Sequence, residues 1–481
     1  MNPVLRGVAV NPSTPEPLLL RLSERPDLAH SLLGRADLPP SVVERLSVDP
    51  RATVRRRLVA HRSTMDRVRA ALASDPDPGV RAEVAGPTQL WGEPPLTTPV
   101  AALPALAADP EPAVRAAVAG NRLTPVALRL ALAADPDPEV RRRTAFGGLP
   151  TETLHRLVGD PDRAVREAAL SRARIDAPTE TIPAHLAEPF LAGGGWYRET
   201  AIAMVDLTPA LIGRFRDDRP ALARNPSLPA DLMPGFLDVA PALAENPALP
   251  AAMLETLVAT MDPEVHRELL RRTDLPDGLR RRLLAADEDD EPLPTVTSLR
   301  HGEAGLAERL SYLDHPNPAF RRTLALSPDL PPAAVHALAA DPDWPTRLLV
   351  CERNGDVVAP EVLAEVATTH PGHSRWDLLR NPRLPVEVAV RHLADAADDP
   401  LARQAVATRP DTPPDVLVRL LDDPDPGVGF SAAANPGLPA DRLRALLDGD
   451  DLLLREAAAG NPALSAEELE RISASASGGP S

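Results

Sequence analysis

Lysine is absent from this sequence, so every one of its 52 basic residues is arginine. In a chain this rich in alanine and proline, that points to GC-rich coding bias rather than to guanidinium chemistry. Aromatic residues are only 2% of the chain, with 6 Phe, 4 Trp and 2 Tyr. Any core is therefore built from Leu, Val and Ala. The single Cys351 excludes an intramolecular disulfide framework and a cysteine-ligated cluster, and fits a reducing compartment. No apolar run reaches the ~18 residues of a membrane span, and the first residues lack the apolar core of a leader peptide. A soluble cytoplasmic protein with no membrane association is expected. Glycine and proline, 26 and 58 of 481 residues, fall short of the roughly 25–30% of low-complexity chains, so the prolines punctuate many short folded elements.

What is present is acidity and repetition. With 69 acidic residues the formal net charge is −17, a field that repels nucleic acid and anionic membrane. Three words then recur in fixed order. The first is Leu-Pro, as at Leu38, Leu149, Leu228, Leu249, Leu275, Leu330, Leu384 and Leu438. The second is DPxxxVR, from Asp49, Asp75, Asp109, Asp135 and Asp160. The third is Asn-Pro, at Asn225, Asn246, Asn381, Asn435 and Asn461.

Each unit reads as two short helices. After Leu-Pro the apolar residues fall at i, i+3 and i+4, as in Leu154, Leu157 and Val158. After Asp-Pro they fall at i and i+4, as in Val80 and Val84, so each helix has one buried stripe. Asp caps exposed amides, and Pro is accepted in the first turn, where its missing donor costs nothing. Asn-Pro is the stop signal: Asn tolerates a left-handed cap, and the proline biases it out of the helical region. Helices of eight to ten residues are unstable alone, so the units must stack. The fold expected is an all-α, right-handed α-solenoid of about seventeen two-helix repeats of 21–28 residues.

The DPDPxVR word with its NPxLP partner resembles the leucine-rich repeat variant family and, more loosely, the HEAT-like α-solenoids. The resemblance spans most of residues 11–472 and implies alternating α- and 3₁₀ helices. One type of family member carries an iron–sulfur cluster on N-terminal cysteines; the first 350 residues here have none, so no cofactor is expected.

Four segments interrupt the pattern: 87–98 with Trp91, 173–206 with Gly193-Gly194-Gly195 before Trp196-Tyr197, the contracted units of 207–248, and 285–303 with its acidic run Asp287–Glu291. The organisation expected is an N-terminal array over 1–172, an irregular middle over 173–303, a C-terminal array over 304–472 and a disordered tail over 473–481.

The Asp/Arg pairs Asp75/Arg81, Asp109/Arg115, Asp135/Arg141 and Asp160/Arg166, with Asp341/Arg347 further on, are expected to form a structural ladder tying one repeat to the next. Arg56-Arg57, Arg142-Arg143, Arg271-Arg272, Arg280–Arg282 and Arg321-Arg322 exceed what a ladder needs. They are either solvated or aligned as a basic stripe, suited to an acidic peptide or a phosphate backbone. His370 and His373 flank a Pro-Gly turn and make a poor metal site. No catalytic motif is present. The function expected is a non-enzymatic scaffold binding a protein or acidic peptide through Arg56, Arg142, Trp196 and Tyr197, with Arg122 as a further groove residue. The alternative is a HEAT-like groove for nucleic acid, against which the net charge argues. Trp196 has a plainer alternative as a plug for the core where a regular unit is missing. The oligomeric state is not legible.

Overall fold

In the DPDPxVR word the two aspartates divide the labour. Asp77 is the N-cap of the helix Pro78–Ala85, its carboxylate accepting from the amides of Gly79 and Val80 at 2.9 and 3.2 Å. Asp75 instead accepts from the amide of Asp77 at 2.9 Å and offers both carboxylate oxygens to Arg55 of the neighbouring unit, at 2.7 and 2.8 Å. Asp137 and Asp425 cap their helices as Asp77 does. The proline that follows the cap lies in the first turn, so the helical hydrogen bonds are intact.

The computed structural model describes residues 2–86, 99–260, 262–272, 274–286, 305–316, 318–369, 374–395 and 399–477. The segment with Trp91, the run Asp287–Glu291 and the pair His370/His373 lie outside the described residues. The fold is an all-helical α-solenoid, with one isolated β-bridge between Ile182 and Val205 among the described residues. The expected stripes are buried: Leu154, Leu157 and Val158 in Thr151–Val158, and Val80 and Val84 in Pro78–Ala85. Each such leucine contributes about 2 kcal/mol by leaving water. Among the described residues, the alternation of α- with 3₁₀ helices implied by the family resemblance is absent. Among the described residues, 3₁₀ geometry is confined to Val100–Ala102 and Met233–Val239.

The closing asparagines leave the helical region in the extended direction and not through a left-handed cap. Asn11 and Asn121 are extended, at φ −64°, ψ 121° and φ −83°, ψ 123°. Among the described residues the single non-glycine with positive φ is Asp329. Their value lies in the side-chain amide, which donates to two carbonyls of the preceding unit. Asn435 reaches Ala407 O and Arg409 O, both at 2.7 Å, and Asn461 reaches Ala433 O and Asn435 O, both at 2.8 Å. Arg272 and Arg409 do the same with guanidinium donors. Buried carbonyls at helix ends are thereby satisfied from the next repeat.

The chain forms two compact units, one of Ser47–Asp287 and one of Met1–Leu46 with Glu288–Ser481. In the first, the second helices of successive repeats pack in series: Ala52–Val59, Pro78–Ala85, Pro112–Gly120, Pro138–Ala145 and Arg163–Asp176. The series continues through Trp196–Met204, Arg219–Ala223, Ala240–Ala244 and Pro263–Arg271, so the irregular stretch keeps the stacking direction. Residue 172, where the N-terminal array was expected to end, lies inside Arg163–Asp176.

In the other unit the series runs from Pro318–Ala325 to Leu452–Ala459, and the next place is taken by Pro3–Val10. Asn11 donates to Ala459 O and Asn461 O at 2.9 and 2.7 Å, the same bonds that Asn461 makes one unit earlier. A Cβ on Gly7 would stand 2.1 Å from Glu456 O and 2.7 Å from Ala459 Cβ. Glycine is therefore what lets this helix seat. The helix Ala466–Ser477 runs five residues into the expected tail, and 478–481 lie outside the described residues.

Candidate partner-binding site

Four of the five DPxxxVR arginines span two units. Arg81 donates to its own unit's Asp75 O at 2.8 Å, and through Nε and Nη2 to both carboxylate oxygens of Asp109 in the next unit, at 2.7 and 2.9 Å. Arg115 binds Asp135 and Arg141 binds Asp160 in the same bidentate way. These side chains are 14% exposed or less. Arg81, then the Glu111 amide, hold the Asp109 carboxyl below its usual range against the opposing effect of burial. Arg166 ends the run: it keeps the bond to Asp160 O at 2.9 Å, but its Nε has no partner among the described residues.

The sequence reading did not place three further rungs. Arg55–Asp75, Arg321–Asp341 and Arg403–Asp423 have the same geometry at 2.7, 2.7 and 2.8 Å. Arg321 is thus a rung and not one of the surplus arginines. The signal was there, six residues after Asp49, His315 and Ala397 respectively, but only the first of these is an aspartate. Arg272 and Arg280, also expected as surplus, bond backbone carbonyls of Asn246 and Leu270.

Of the residues expected at a partner surface, Arg56 is exposed near the end of Ala52–Val59. Arg142 is engaged by Glu139 at 2.6 and 2.8 Å. That bond, with a second from Arg143, brings the Glu139 carboxyl down to about 2. Trp196 opens the helix Trp196–Met204 behind Gly195, whose φ of +75° is a conformation glycine adopts freely. Trp196 is 55% exposed, while Phe190, Leu191, Ile202 and Met204 fill the core beneath. It therefore does not plug the core. Its ring meets that of Tyr197 edge-on, with centroids 5.1 Å apart at 78°. Among the described residues, Arg56, Arg142 and this aromatic pair share no hydrogen bond, ion pair or ring contact.

Among the described residues no group of three His, Cys, Asp or Glu side chains is placed to hold a metal. Cys351 is buried, and burial pushes its thiol up to about 12. No described helix is long and apolar enough to cross a membrane.

No curated protein matches the chain. Among solved structures it is aligned with the karyopherin Kap121p bound to RanGTP, at 12% identity and a TM-score of 0.21, over 99% of this chain and 51% of that one. Kap121p bound to Nup53p is aligned at 13% identity and a TM-score of 0.20, over 98% and 51%. The chain thus spans about half the length of these structures. Residues 400–425 match the model of the leucine rich repeat variant family, a stretch that holds the helices Pro400–Thr408 and Pro414–Leu420 and ends on the cap Asp425. The chain is an all-helical repeat protein carrying a leucine rich repeat variant unit.

Proposed function

We propose that this protein is a non-enzymatic scaffold that binds another protein, with Trp196 and Tyr197 as the anchor and Arg56 and Arg142 on the flanking array. The observation that carries the reading is the 55% exposure of Trp196 in a chain that has only 4 tryptophans. Tryptophan and arginine dominate interface hot spots, and a large ring left in water costs free energy until something covers it. A net charge of −17 favours a protein over a nucleic acid as the occupant.

The test is a photo-crosslinking residue in place of Tyr197, which leaves Trp196 intact, illuminated in the native host. The expected result is an adduct that protease removes and nuclease does not. A nuclease-sensitive adduct, or no adduct from folded protein, contradicts the reading.

A further inference from the structure

The residue three places before the Leu-Pro word is the one that reaches back to the preceding unit, as Asn225, Asn246 and Asn435 do. Before Leu149-Pro150 that residue is Phe146, which has no donor to offer. Its ring is 51% exposed rather than buried between units. Where the missing amide would have lain there is a cleft of about 390 Å³, lined by Asn121, Phe146 and Gly147-Gly148 together with Arg122, Arg129, Arg143 and Arg172.

Among the described residues, two of these four guanidiniums have a carboxylate partner and two do not. Arg143 shares Glu139 with Arg142, at 2.8 Å, and Arg172 holds Asp176 at 2.6 Å. Arg122 and Arg129 have no carboxylate partner among the described residues. Arg129 is fixed through its bond to Arg122 O at 2.8 Å. Gly147 gives it room, since a Cβ there would come within 3.3 Å of Arg129 Cδ. The Arg129 charge is therefore held in place before any ligand arrives, which lowers the ordering cost of binding.

We infer that this cleft receives an anionic side chain, a carboxylate or a phosphate, carried on a peptide segment of a partner protein, with Phe146 packing against the segment beside it. The inference rests on the protein-binding reading and gives that partner a chemistry. A peptide suits the cleft better than a nucleic acid, because one exposed phenylalanine offers no series of stacking platforms and the chain as a whole is acidic.

The experiment titrates the full chain with three end-blocked octapeptides of one sequence, carrying two glutamates, two phosphoserines or two glutamines, and with an eight-nucleotide single strand. At least one anionic peptide is expected to bind in a salt-dependent way, at least about tenfold more tightly than the glutamine peptide. Arg122→Glu, at an exposed position, should abolish that advantage without changing the melting temperature. Phe146→Asn should restore the missing bond and weaken the peptide while keeping or raising stability. Equal affinity for all three peptides, indifference to Arg122→Glu, or an Arg122-dependent preference for the oligonucleotide overturns the inference. A protein adduct at position 197 with no peptide binding would leave the scaffold reading standing and remove only the cleft.

Discussion

Two adjacent arginines show how far position outweighs residue type. Arg141 makes a bidentate bond to Asp160 with the pair 13% and 6% exposed, and a third bond to Asp135 O. Arg142 pairs with Glu139 at 37% and 45% exposure, three residues away on the same helix. Removing Arg141 strands a buried carboxylate, so Arg141→Ala should cost about 3 kcal/mol in denaturant unfolding. Arg142→Ala should cost less than about 1 kcal/mol. Equal losses would contradict the ladder. Paired carboxylates also set the acid limit. Arg81 holds Asp109 below the ordinary range; at Asp423 and Asp343 burial pushes upward, but Arg403 holds the first below that range, and Arg322 with the Thr346 hydroxyl and amide brings the second down to about 2. Groups with depressed folded values stabilise the protein above their unfolded value and lose that contribution as pH falls through the folded one. The denaturation midpoint should be flat above about pH 5 and fall between about pH 4 and 2, and a loss beginning near neutrality would contradict this.

At the scale of the helix, the repeating words were legible because each has a local cause. Apolar spacing gave the stripes, and Asp-Pro gave the caps. What the words do between units was less legible. Asn-Pro read as a local helix stop, whereas the asparagine side chain also acts across repeats. Nor did periodicity indicate that Pro3–Val10 stacks on Leu452–Ala459, because a repeat pattern says what packs on what kind of neighbour and not which copy closes a stack. The seat depends on Gly7, beneath which Glu456 O leaves no space for a Cβ. Gly7→Val should unseat the helix, raising amide exchange over residues 3–33 and exposing them to protease while residues 100–170 keep their protection. Unchanged exchange in that region would contradict the seat. Asn11→Ala, which strands Ala459 O and Asn461 O, should cost about 2 kcal/mol.

For the whole molecule, the fold class followed from sequence, since one-sided helices of this length must stack. The candidate surfaces followed only in part. The exposure of Trp196 was one of two readings of the same residues, and Phe146 escaped notice because its importance is the absence of an amide at a register that only the stacked units reveal. The account as a whole assigns regular positions to holding the fold and irregular ones to contacting a partner. The measurement that tests this most directly is a paired comparison of Arg141→Ala and Trp196→Ala, each scored for unfolding and for recovery of the protein crosslinked at position 197. Arg141→Ala should lower stability and retain the adduct below its melting temperature, while Trp196→Ala should melt with the native protein and lose the adduct. If Trp196→Ala is destabilised as much as Arg141→Ala, or keeps the adduct at full yield, the division between ladder and binding surface is wrong.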